Sequence, residues 1–347
     1  MTLRSGEVFN RDMSPSPQLV DSFQALGPLA VNPRVSEEFD RHERAAKRWK
    51  RVHTTLGRLA LVCISLVMLF FDFEFTLGHI HPAPQLLSRC VAAIAALGII
   101  AQLVLVFFKI KERWILERYA AERLRCLKFQ AFALVPLVPD LAALEGAVAA
   151  FVEKQIALLD QELMAGRHAM DNFSPSDVAM PSGSERQHGS ALPVAEALAL
   201  YKSIRLDVQE QHFNGQAHKS NERGRYPALF SELAFALGAA LAIIDVTAAA
   251  LNPALLSNNS MLEIWLSFFT MGSFILSAIL AVYQRGAADA AHAERYKHYA
   301  REIHGIRMRI SPNSAESYLE TVREMELIEL RELFDFCRDS MRSSYIF

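Results

Sequence analysis

The 347-residue sequence predicts an all-α membrane protein, with four transmembrane helices arranged as two hairpins and extended by cytoplasmic helices. Three observations predict it. Two blocks are long, apolar and free of charge. Two more, each just ahead of a clean block, are broken only by isolated ionisable groups. Lysines and arginines crowd one side of all four. Bulk composition says less: 36 basic residues against 38 acidic ones give no general attraction to nucleic acid.

Residues 1 to 40 hold several prolines and serines and read as a disordered tail. They show no apolar core between basic flanks, so no cleavable signal peptide is expected. A helix starts near Ser36 and runs into the first span, 56–77, which is apolar except for Arg58, Asp72 and Glu74. The second span, 90–108, carries no charge over nineteen residues, and a helix follows it. Leu116, Ala120, Leu124 and Leu127 make one apolar stripe there, with Arg113–Glu117 and Arg118–Glu122 as four-apart pairs on the wet side. Pro136 and Pro139 end that helix, and another spans Asp140 to about Gly166.

Residues 166–193 read as a serine-, proline- and glycine-rich linker. Beyond it a helix from Val194 to about Lys219 puts Ala197, Tyr201, Ile204 and Val208 on one face. The third span, about 229–251, contains Asp245, and the fourth, 264–284, is twenty-one residues without a charge. At ~1.5 Å per residue each clean block covers most or all of a ~30 Å hydrocarbon core. Gly286 to Ile310 is helical again, Ser311, Pro312 and Asn313 stop it, and 313–347 forms a last cytoplasmic helix capped by Asn313 or Ser314. That helix carries Leu327, Leu330, Phe334, Cys337 and Met341 at three-four spacing.

Orientation follows from the basic residues. Seven fall between Arg41 and Arg58, among them Arg44, Lys47 and Arg48, and seven between Lys109 and Lys128, among them Arg113 and Arg118. The loop at 78–89 has only Arg89, and that between the third and fourth spans has neither Lys nor Arg. Both termini and the middle region are therefore expected in the cytoplasm, and the protein in a bacterial inner membrane.

The chain also repeats itself. The hairpin of 41–165 and that of 194–312 share one order of elements, Glu117-Arg118-Tyr119 recurs as Glu294-Arg295-Tyr296, and Asp72 and Asp245 take corresponding places. The segment YKSIRLDVQEQHFNGQA, with Tyr201, Arg205, Leu206, Gln209, Phe213 and Ala217, precedes a span and a hairpin. Together with ERWILERYAAERLR, which holds Glu117, Arg118 and Tyr119, it resembles the SLATT group of SMODS- and SLOG-associating two-transmembrane effectors, in two tandem copies. The first copy departs from the pattern, since FDRHERAAKRWKR lacks the Tyr-x-x-x-Arg-Leu start. The resemblance implies a membrane effector of a bacterial anti-phage system. Such effectors are thought to oligomerise, to permeabilise the membrane, and to act beside a nucleotide-second-messenger synthase or a separate sensor protein.

Enzyme signatures are not found: no GxGxxG after a strand, GxxxxGK[ST], HExxH or GxSxG. No cofactor or metal is expected, His79 and His81 having no carboxylate or cysteine beside them. Charged groups in spans usually face protein or water, which makes Asp245, Asp72 and Glu74 pore-lining candidates, with burial near the outer interface as the alternative. Arg44, Lys47, Arg48, Arg113 and Arg118 are candidates for contact with lipid or nucleotide phosphate. A homo-oligomer in the bilayer is expected. A non-conducting scaffold, or a small channel or transporter unrelated to defence, remains open on the residues alone.

Overall fold

The computed structural model describes residues 10–23, 26–77, 85–166, 194–251, 260–287, 289–310 and 315–342. Among these residues there are helices and turns and no strand. In chain order they are α1 (Pro17–Ser22), α2 (Gly27–Ala30), α3 (Pro33–Leu77), α4 (Gln85–Phe107), α5 (Ile110–Gln130), a 3-10 stretch (Ala131–Leu137) and α6 (Leu141–Ala165). After 194 come α7 (Val194–Tyr201), a π turn (Lys202–Leu206), α8 (Asp207–Leu251), α9 (Ser260–Ala287), α10 (Asp289–Arg309) and α11 (Ala315–Arg342).

Two compact units share these helices. One comprises Met1–Trp49, Glu112–Lys219 and His292–Arg342; the other comprises Lys50–Lys111 and Ser220–Ala291. The second holds the four stretches long and apolar enough to cross a membrane. Its side chains point mostly outward: Phe107 is 76% exposed and Val106 69%. Small residues set the helix contacts inside it. A Cβ at Gly98 on α4 would stand 2.9 Å from Cys63 Cβ on α3, so only glycine allows that approach. On α8 and α9, Ser231 Oγ donates to the Ser277 carbonyl at 3.1 Å and Ser277 Oγ to the Ser231 carbonyl at 3.0 Å. Aromatic rings gather where α3 meets α9, with Phe73 edge-on to Phe268 at 6.3 Å.

The first unit has an ordinary core plus an unusual one. α6 begins and ends at the residues its sequence marks: the Asp140 carboxylate accepts from the Ala143 amide at 2.8 Å, and Gly166 closes the helix at φ 61°. Several expectations change. Residues 10–23 and 26–30 are not a loose tail, because Asp12, Met13, Leu26, Leu29 and Ala30 are all buried, and α3 already starts at Pro33. The helix after the second span does not continue it: Lys109 takes a left-handed φ of 48°, and α5 restarts at Ile110. The π turn shifts the buried face of α7–α8 from Val208 to Gln209 and Phe213. On α11 the buried stripe includes Glu326 and Glu329, with Leu330 and Cys337, whereas Leu327, Phe334 and Met341 are only partly covered. The linker at 167–193, the loops at 78–84 and 252–259 and the caps at 313–314 lie outside the described residues.

Candidate functional site

The chemistry of this chain is concentrated in a charge network buried in the first unit. Arg205, fully buried, sits in the π turn. Its Nε donates to Glu326 Oε1 at 3.1 Å, one terminal nitrogen to Glu326 Oε2 at 3.1 Å, and the other to Asp12 Oδ2 at 3.2 Å. Glu329 Oε2 lies 3.7 Å from the same guanidinium, and the Phe129 ring centroid is 4.4 Å from its carbon. Tyr201, one turn back, donates its hydroxyl to Glu326 at 2.9 Å.

A second arginine completes the arrangement. Arg125 on α5 contacts Asp12 Oδ2 through Nε at 3.3 Å and donates to both Glu122 oxygens, at 3.0 and 2.7 Å. Gln209 donates to Asp12 Oδ2 at 3.0 Å, and Lys128 Nζ donates to the carbonyls of Asp12 and Met13 at 2.6 and 3.1 Å. Asp12 thus joins α5, which follows the second span-length helix, to α8, which contains the third.

Burial and pairing compete at each group. Burial opposes the charge on Arg205, but Glu326 and Glu329 outweigh it and hold the guanidinium charged. The acids yield instead. Burial raises Glu329 to about 8, against the pull of Arg205, and keeps Glu326 above the usual carboxylate range. Lys128 is lowered to about 8 by burial, with Asp12 pulling the other way.

The residues of the family-like motifs meet here or beside it. Tyr201, Arg205 and Gln209 face the network and Leu206 is buried next to it. Tyr119 donates to Glu162 at 2.6 Å, Glu117 contacts His42 Nδ1 at 2.7 Å, and Arg118 pairs with Glu43 at 3.2 Å and with Glu122. The internal repeat is shifted in structure. The hydroxyl-to-carboxylate contact of Tyr119 has its counterpart in Tyr299, bonded to Asp335 at 2.6 Å, rather than in Tyr296.

The other candidates scatter. Asp72 is 5% exposed and turns inward, 3.5 Å from where a Cβ on Gly272 would stand, whereas Asp245 is half-buried and Glu74 exposed. Within one chain the three carboxylates thus stand in three different environments. Of the basic candidates, Lys47 pairs with Glu43 at 3.1 Å and Arg44 Nε donates to the Asp40 carbonyl at 3.0 Å. Arg48 and Arg113 hold the Trp49 ring, their guanidinium carbons 5.7 and 5.2 Å from its centroid. Asp12, Arg125, Lys128, Glu326 and Glu329 are absent from the sequence-based candidates. The only signal was two acids three apart interrupting an apolar stripe on α11. No group of His, Cys, Asp and Glu placed to hold a metal is found among the described residues.

Comparison with protein-family models, curated proteins and solved structures finds no match. Fold and composition define the class at the level of a helical chain with, among the described residues, four helices long and apolar enough to cross a membrane.

Proposed function

We propose that this chain is a membrane effector, oligomeric and pore-forming or membrane-perturbing, triggered from the cytoplasm in a bacterial anti-phage system. The observation that carries the reading is continuity. α3 and α8 are each 45 residues long, and each runs from the charged unit to the far end of an apolar stretch. At ~1.5 Å per residue such a helix is about 68 Å long, more than twice a ~30 Å hydrocarbon core. A change in the network around Arg205 therefore acts on α8 itself, without a linker. The basic flanks favour the inner membrane, with two hairpins inserted and both termini in the cytoplasm. The partners are the bilayer, further copies of the chain, and a sensor protein or nucleotide second messenger that supplies the signal.

Ion flux in liposomes tests the reading. Purified protein should release a trapped ion or dye, alone or with candidate nucleotides, and Asp245→Asn should change selectivity. Reconstituted oligomers that never conduct would end it. The inward turn of Asp72 and the exposure of Glu74 favour a second reading, a non-conducting scaffold that recruits partners through its cytoplasmic helices. In that case Asp245→Asn leaves activity intact.

A further inference from the structure

The donors gathered around Asp12 have a use beyond holding the fold. Arg125, Arg205 and Gln209 all address one atom, Oδ2, while Oδ1 is buried and accepts no hydrogen bond among the described residues. A buried carboxylate oxygen left without a donor costs about 1–3 kcal/mol. Asp12 is an imperfect occupant of its site, since one of its two oxygens goes unused there.

The donors stay in place without it. Glu122 anchors Arg125, and Glu326 with the Phe129 ring anchors Arg205. The π turn brings Arg205 and Gln209 to the same face of one helix, and single π turns recur at functional sites. The segment that supplies Asp12 is held at a limited set of points. α1 has no buried residue, and the segment holds on through Met13, Leu26, Leu29 and Ala30 and through polar contacts of Asn10, Asp12 and Met13.

We propose that Arg125, Lys128, Arg205 and Gln209 form an internal anion site, occupied here by Asp12 of the N-terminal segment, which a phosphate-class anion takes by displacing residues 10–31. Guanidinium groups present planar forks that match carboxylate and phosphate alike, so one site serves both. Once Asp12 has left, three cations face Glu122, Glu326 and Glu329. Loss of the Asp12 carboxylate leaves the site one charge more positive than it is when occupied. Displacement frees the N-terminal segment and removes a carboxylate that contacts both Arg125 and Arg205. The proposal does not depend on what the apolar helices do, since its readouts are binding and exchange rather than flux.

Hydrogen–deuterium exchange on the full chain tests it, with inorganic phosphate as probe and chloride at matched ionic strength as control. Phosphate should speed exchange across residues 10–31 saturably, while α6 stays protected. Asp12→Asn removes the competing charge, so phosphate should bind at least about tenfold tighter, as expected when an occupant holds a site nine-tenths of the time. Phosphorus NMR reads that binding. Gln209→Ala, which removes a donor without changing charge, should weaken it several-fold. Wild-type exchange that responds equally to phosphate and chloride overturns the proposal and needs no variant to fold. So does a folded Asp12→Asn chain that binds phosphate no better than wild type.

Discussion

The two units of this chain invert each other. In the unit formed by Met1–Trp49, Glu112–Lys219 and His292–Arg342, charged groups lie inside: Arg205 and Glu326 are 0% exposed and Arg125 1%. In the unit formed by Lys50–Lys111 and Ser220–Ala291, large apolar side chains lie outside, Ile243 at 66% and Leu233 at 62% among them. The difference teaches how two solvents shape one polypeptide. Against water, burial of apolar surface drives packing, and a buried ion survives only when paired. Against hydrocarbon, apolar burial gains nothing, and helices associate through close backbone approach and small hydroxyls, as at Gly98 and the Ser231–Ser277 pair.

The sharpest way to break this contrast is Arg205→Ala. It leaves Glu326 in a buried site without its arginine, and removing one partner of a buried pair costs about 3–5 kcal/mol. Denaturation of the detergent-solubilised chain followed by helicity should show a loss of that size; a loss under ~1 kcal/mol would mean that the network is wetter than its geometry. Gly98→Val comes next. Its Cβ meets Cys63 at 2.9 Å, and overpacking of this kind costs about 1–3 kcal/mol. Disulfide or fluorescence ruler measurements between α3 and α4 should register the separation, with the charged unit unchanged.

A pH titration sharpens the comparison further. Glu329 keeps its proton in the folded chain up to about 8, well above its ordinary 4.5, so the folded state binds the extra proton. Its contribution is complete below the unfolded value and is lost as pH rises through about 8. His212, lowered to about 3 by burial and by Arg125, pulls the other way up to about 6.5, so the decline is clearest from there to 8. Glu329→Gln should flatten it, as read from melting temperature against pH. The smallest effect belongs to Arg309→Ala, an exposed residue whose partner Glu324 is only half-buried; surface pairs contribute about 0–1 kcal/mol, and the melting temperature should scarcely move.

Much of this architecture was legible beforehand. Apolar runs of span length, the Asp140 cap, the Gly166 stop and the buried positions Ala197, Tyr201 and Ile204 all declare themselves locally, through hydropathy, capping chemistry and period. The network did not. Arg125, Lys128, Glu326 and Glu329 each read as members of a solvated face, because a charge reveals its burial only through partners distant in sequence. Asp12 meets Arg205 across 193 residues. The π turn hid equally well, since periodicity assumes 3.6 residues per turn throughout and selects Val208 where the fold uses Gln209.

That widened turn also acts as a phase setting for the longest helical run in the chain. Five residues, Lys202–Leu206, share it, and each residue of an α-helix advances by about 100°. Deleting one of them would return the run to a plain 3.6-residue period and leave Gln209 and Phe213 on the face they now use. Keeping all five but winding them at 3.6 residues per turn would instead bring Val208 inward in place of Gln209, without one side chain having been replaced.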